Sequence, residues 1–219
     1  MNNKISAVLE LIKTEYSDID TILVFGSAIT PSWTPQSDID IFLIDDVLND
    51  SRSEATARGI NIKFQENNFA TIKNDMEKER GNLLHRNLST MIATSVVIST
   101  KSPEKITELI EYARGILASP PDYGEEDLKM WHYSITDYLA KAEKDIARND
   151  LVAFYINANY VLQNALELSL ATHNTYMSQP KNLTKLLSEK DPALLQIWQE
   201  YIVATTPENK LNALKKLSP

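Results

Sequence analysis

The distribution of glycine limits this chain more than any other single feature. All five glycines (Gly26, Gly59, Gly81, Gly115 and Gly124) stand in the first part of a 219-residue sequence, and residues 125–219 contain none. Turns that need a positive φ are therefore confined to the first part. The stretch SPPDYGEED (119–127) divides the two regimes, with two prolines, a glycine and an acidic run suited to a helix start.

Beyond that stretch the apolar residues recur at the helical period. Leu128, Trp131, Ile135, Leu139, Ala142 and Ile146 form one stripe; Leu151, Phe154/Tyr155, Ala158, Val161/Leu162, Ala165 and Leu168 form another. Two shorter helices follow within 182–202, the second starting near Asp191-Pro192, where Asp caps and Pro fits the first turn. Four or five amphipathic helices with short links imply a bundle. Trp131, Trp198 and Tyr201 are expected in its core.

The first part mixes periods. Ile5, Val8, Leu9 and Ile12 keep helical spacing, as does the stretch 106–117, and residues 69–84 read as a polar helix. Thr21 to Phe25 and Ile39 to Ile44 are short apolar runs, and 95–99 is a β-branched one. GINIKFQ (59–65) alternates strictly, with Ile60, Ile62 and Phe64 on one face and Asn61, Lys63 and Gln65 on the other. The expected fold class is α+β: a mixed sheet of three or four strands with flanking helices, then an all-α bundle. By composition 119–127 is the best break, but 106–117 also reads as helix and allows a boundary near 101–103; the expected division is 1–105 and 106–219.

Bulk chemistry removes several function classes. The net charge is −8 and the pI about 5.0, against sequence-independent binding to nucleic acid or an anionic membrane. There are no cysteines, so disulfides, thiolate metal sites and cysteine nucleophiles are excluded. No apolar run approaches the roughly 20 residues of a membrane span. The start, MNNKISAVLELIKTEYSD, has no basic segment ahead of an unbroken apolar core, so the expected compartment is the cytoplasm.

Within VFGSAITPSWTPQSDIDIFLI (24–44), two aspartates interrupt an apolar strand. Residues i and i+2 of a strand share a face, which sets Asp38 and Asp40 side by side with Cα atoms about 6–7 Å apart. Two carboxylates that close repel unless a positive charge stands between them, and a hard divalent ion, Mg²⁺ or Mn²⁺, meets that need. Gly26-Ser27 ends the preceding strand. A glycine there lets backbone approach a ligand, and N–H groups with the Ser27 hydroxyl suit a phosphate oxygen. A phosphate cradle beside a metal-holding Asp-x-Asp points to phosphoryl or nucleotidyl chemistry on a nucleoside triphosphate.

Gly26-Ser27, followed after ten residues by Asp38-Ile39-Asp40 with Ser37 just before, resembles the signature of the DNA polymerase β-like nucleotidyltransferases. The resemblance is specific over about 23–44; the helical second part is similar to the antibiotic-modifying members. It implies a Gly-Ser corner opening a helix and the aspartates on the next strand. Asp38 and Asp40 would hold the metal, Gly26 and Ser27 the triphosphate, and Ser37 would orient the first aspartate. It implies ATP or another NTP as donor, a small-molecule hydroxyl as acceptor, and a possible homodimer. The implied reaction is transfer of NMP, in the first instance AMP, to a hydroxyl such as one on an antibiotic. The alternatives are a nucleotide-binding relative with weakened catalysis and an antitoxin-like AMP transferase acting on protein.

The resemblance also implies a third carboxylate from a neighbouring strand, and GINIKFQ offers none. Glu66 alternates with the apolar face, and Asp45 and Asp46 stand at the far end of their own strand. Three readings stay open: a base from the helices (Asp137 or Glu167) or from a partner subunit, Lys63 in place of one metal's charge, or binding without efficient turnover. Arg86 and Lys181 are further candidates near phosphate, and Asn61 is a further site candidate beside Lys63 on the polar face of GINIKFQ. Tyr133, Asp137, Tyr155 and Asn159 are candidates for an acceptor pocket.

Overall fold

The computed structural model describes residues 3–31, 33–34, 36–121, 123–177 and 180–218. They form two compact units, one of 1–80 with 86–119, the other of 81–85 with 120–219.

The first unit is built on a five-stranded sheet. Its elements are α1 (Asn3–Glu15), β1 (Thr21–Phe25), β2 (Ile39–Ile44), β3 (Ser51–Ala57), β4 (Ile60–Asn67), α2 (Phe69–Lys78), α3 (Asn87–Thr94), β5 (Val96–Thr100) and α4 (Pro103–Ala118). The strand order is β3-β4-β2-β1-β5. β2 and β4 run parallel and every other pairing is antiparallel, so the sheet is mixed.

Both faces of the central strands are covered. Ile5, Val8, Leu9 and Ile12 of α1 pack on Ile22, Val24, Ile39, Ile41, Leu43 and the apolar face of β4. Leu23, Phe25, Phe42 and Ile44 pack on the other side against α2, α3 and α4. Double coverage makes β1 and β2 continuous apolar runs, and single coverage makes β4 alternate. Asp40 therefore shares its face with Phe42 and Ile44.

Four expectations need correcting. The sheet has a strand that composition conceals: SRSEATA is polar and almost entirely exposed, and it forms edge strand β3. It is joined to β4 by the two-residue turn Arg58-Gly59, with φ of 53° and 74°, both positive as a tight hairpin of this kind requires. The helix expected over 69–84 stops at Lys78. The Glu79 carboxylate instead accepts from the N–H groups of Leu88 and Ser89 at the start of α3, both at 2.8 Å. The division falls after Ser119 rather than after residue 105. Ile106, Leu109, Ala113 and Ile116 of α4 bury themselves with Ile72, Met76 and Ile92, and so tie that helix to the sheet unit. The fourth is Arg86, fully buried and part of this fold rather than of any exposed phosphate site. Its guanidinium donates to the carbonyls of Ile116 (2.7 Å), Ser119 (2.8 Å) and Arg80 (2.7 Å), joining the end of α4 to the segment after α2.

The second unit is helical: α5 (Glu125–Ala147), α6 (Leu151–Thr172), α7 (Leu183–Lys190), α8 (Pro192–Val203) and α9 (Pro207–Lys215). Its core joins Ile135, Leu139 and Ala142 to Phe154, Ala158, Val161 and Leu162, with Tyr201 and Leu214 from the later helices. Tyr201 is buried in this core, and Trp131 and Trp198 are partly buried against it. Asp191 caps α8 by accepting from the Leu194 N–H at 3.0 Å, as the sequence predicts. Among the described residues no helix is long and apolar enough to cross a membrane.

Candidate active site

The end of β1 and the start of β2 meet because the two strands are antiparallel: Phe25 is the register partner of Asp40. The chain then leaves β1 through Gly26, at φ +73°, into a one-turn 3-10 helix over Gly26–Ile29. The turn closes as Thr30 N–H donates to Ser27 C=O at 3.0 Å. The glycine is required twice over. Its φ is one that side chains with a Cβ adopt at a cost, and a Cβ built on it would stand 2.7 Å from Asp40 Oδ2. The Asp40 carboxylate thus lies directly against the Gly-Ser corner.

Lys63 enters from β4. In the parallel pairing of β2 with β4 it is the register partner of Asp40, and its Nζ lies 2.6 Å from Asp38 Oδ2. Asp40 and Lys63 share a face as register partners, and Asp38, just ahead of β2, joins them through its ion pair with Lys63. Burial pushes the Asp40 carboxyl above the ordinary carboxylate range. The Lys63 charge opposes that shift and Asp38 adds to it. The hydrogen bond to Asp38, and then its charge, hold the Lys63 ammonium above the usual lysine range.

The remaining candidates fall elsewhere. Ser37 engages Thr34, not Asp38: its Oγ accepts from Thr34 N–H at 3.1 Å, and its own N–H donates to Thr34 C=O at 2.9 Å. It closes the loop before β2, so the predicted role in orienting Asp38 gives way to a turn. Asn61 stands one pleat before Lys63 and accepts from Thr56 Oγ1 at 3.2 Å across to β3. Lys181 lies in the helical unit, exposed on the turn Pro180–Asn182. Asp45 accepts from Asp20 N–H, and Asp46 pairs with Lys105 at 2.8 Å.

Glu66 keeps to the α1 side of the sheet and accepts from Ser51 Oγ at 2.9 Å. Sequence reasoning missed Glu54, the register partner of Lys63 on β3. Its charge reaches the Lys63 ammonium. The turn Arg58-Gly59 was the one available signal, since a tight hairpin there places residue 54 opposite residue 63. Among the described residues, no group of three carboxylates or histidines gathers to hold a metal ion.

In the helical unit, Asn159 lines a cavity of about 450 Å³ with His85, Gln163, Trp198 and Tyr201. Of the acids proposed as bases, Asp137 pairs with Lys141 of its own helix at 2.7 Å, and Glu167 accepts from Gln163 at 2.9 Å. Tyr133 and Tyr155 are exposed.

The family model described as "Nucleotidyltransferase domain" matches residues 5–167. A search of curated protein sequences gave no match. Among solved structures, a nucleotidyltransferase-like protein from Exiguobacterium sibiricum 255-15 is similar, with a TM-score of 0.56 at 11% identity. The match covers 95% of this chain and 72% of that one, and at such identity it speaks for the fold. With the Gly-Ser corner, the paired aspartates and a family match over most of its length, this chain belongs to the DNA polymerase β-like nucleotidyltransferase domain family.

Proposed function

We propose that this protein moves a nucleoside monophosphate, most simply AMP from ATP, onto a hydroxyl of a small molecule such as an antibiotic, releasing pyrophosphate. The observation that carries the reading is the Asp40 carboxylate held against Gly26 at the point where β1 opens into its turn. An acid able to face a metal-bound triphosphate thus stands beside backbone that an added side chain would crowd.

The residues fit one divalent ion. Asp38 and Asp40 supply hard oxygen donors, and the half-buried Asp40 carboxylate lacks full compensation from Lys63. Mg²⁺ or Mn²⁺ held by the pair would polarise the α-phosphate. The chain's own groups do the rest. Gly26 lets the backbone approach the triphosphate, the Ser27 hydroxyl donates to a phosphate oxygen, and Lys63 offsets the charge of Asp38. In the transfer, the bond from the α-phosphorus to the bridging oxygen breaks as the acceptor oxygen bonds to that phosphorus. The acceptor hydroxyl gives up its proton to a base or to solvent.

The ion pair of Lys63 with Asp38 also favours a second reading, in which the protein binds nucleotide with little turnover. Titration calorimetry with ATP and Mg²⁺ on the wild type, Asp38→Ala and Asp40→Ala, followed by pyrophosphate release over a panel of hydroxyl-bearing antibiotics, separates the two. Binding lost in both variants with turnover in the wild type supports transfer; binding without turnover on any acceptor supports the second reading. ATP affinity unchanged by either substitution would refute both.

A further inference from the structure

The family resemblance implies a third carboxylate on the strand beside the Asp-x-Asp pair, where it would complete the metal site. In this chain the position belongs to Lys63, the register partner of Asp40. Its ammonium lies 2.6 Å from Asp38 Oδ2, with the two side chains 50% and 28% exposed. Glu54 stands opposite Lys63 on the next strand. Across the sheet the charges therefore run carboxylate, ammonium, carboxylate. That order stabilises the sheet without a metal and opposes a second dication.

We infer that Lys63 is a built-in cation that takes the place of one divalent ion, so that the aspartate pair accepts a single metal and accepts it in competition with the ammonium. The inference rests on the reading of Asp38 and Asp40 as metal ligands. With Asp38 Oδ2 engaged by Lys63, the donors left to a metal are Asp38 Oδ1 and the Asp40 carboxylate. A dication seated there feels the ammonium a few ångströms away, so removing that charge strengthens metal binding. Replacing it by a carboxylate changes the number of ions as well as their affinity.

The test is a titration of the full chain with Mn²⁺ alone, with the unbound ion read from its electron paramagnetic resonance signal. The wild type takes at most one Mn²⁺ per chain. Lys63→Gln tightens that ion by about tenfold or more, the scale of one unit charge met at close range by a dication. Lys63→Asp completes a three-carboxylate set and takes two. In the Lys63→Gln background, Asp38→Asn abolishes the gain, which places the ion at the pair. Thermal melts confirm that the variants are folded; half-exposed Lys63 gives no reason for them not to be. Two Mn²⁺ on the wild type, affinity unchanged or weaker in Lys63→Gln, or a Lys63→Asp chain that stops at one ion would each overturn the inference. Because no nucleotide is present, such a failure is distinct from failure of the transfer reading, which shows as ATP binding without pyrophosphate release or as ATP affinity unchanged in Asp38→Ala and Asp40→Ala.

Discussion

Gly26 and Gly59 form a matched pair that isolates the contact on which the site depends. Their φ values are +73° and +74°, so an added methyl group costs the same backbone energy at both, about 1–2 kcal/mol. Their surroundings differ. At Gly59 nothing lies within 4 Å of the new atom, whereas at Gly26 it meets Asp40 Oδ2 at 2.7 Å. Relieving that overlap displaces a carboxylate held on a central strand, an overpacking cost of about 1–3 kcal/mol. Gly59→Ala should therefore lower stability by the backbone cost alone, and Gly26→Ala by about 2–5 kcal/mol in total. Adding Asp40→Ala removes the obstacle, and in that background the cost of Gly26→Ala should fall to the Gly59 value. Urea unfolding of the four chains and their double variant, read by fluorescence and circular dichroism, gives the coupling energy directly. Equal costs at the two glycines, or a Gly26→Ala cost indifferent to Asp40, would show that the carboxylate does not lie against the corner.

Arg86→Met should destabilise the sheet unit by about 3 kcal/mol, because one buried and two part-buried carbonyls lose a charged donor, and Arg86→Lys should recover little; denaturant midpoints check both. Glu77 receives hydrogen bonds from Arg80 and from the Tyr112 hydroxyl, which pull its carboxyl from 4.5 down to about 2. A depressed carboxylate stabilises above its unfolded pKa and loses that contribution as pH falls through the folded one. The stability gap between wild type and Glu77→Gln should thus be full at neutral pH and close between pH 4.5 and about 2, read by urea unfolding across that range. Asp40→Asn should raise the melting temperature of the metal-free protein at neutral pH, because burial disfavours the charge more than Lys63 favours it. A lowered melting temperature would show Lys63 to be the stronger influence.

What the sequence made legible follows from how many faces of each element are covered. β1 and β2 are buried on both sides and read as apolar runs; β4 is buried on one and alternates. The glycine-free remainder holds the helices α5 to α9 and, among the described residues, no strand. β3 escaped because only its last residue, Ala57, touches a core: its pairing with β4 comes from backbone hydrogen bonds and a turn, and Arg58 holds one of the two positive φ angles where glycine or asparagine is usual. Arg86 escaped for a related reason. Its partners are backbone carbonyls far along the chain, and no residue pattern records a carbonyl in need of a donor. At the site, the aspartates were legible because their charges conflict with the apolar run around them, and the glycine because it ends the run before. Lys63 was legible as a cation able to stand in for one metal's charge, but its ion pair with Asp38 was not, since that depends on the parallel register of β4 with β2.

That conflict is the strongest physical pointer to function in the chain. A folding sequence left to itself would place apolar residues at 38 and 40, as it does at 42 and 44 of the same face, and would avoid a left-handed corner next to them. It carries two neighbouring carboxylates and a glycine at positive φ instead. Local choices that oppose the surrounding fold and gather at one point mark sites kept for something other than folding. Lys63 relieves part of the repulsion by engaging Asp38, yet the Asp40 carboxyl remains above the ordinary carboxylate range. The free fold therefore leaves a negative charge incompletely compensated beside an open stretch of backbone. A bound cation carrying phosphate would satisfy both at once: positive charge for Asp40, and acceptor oxygens for the N–H and hydroxyl groups of the corner.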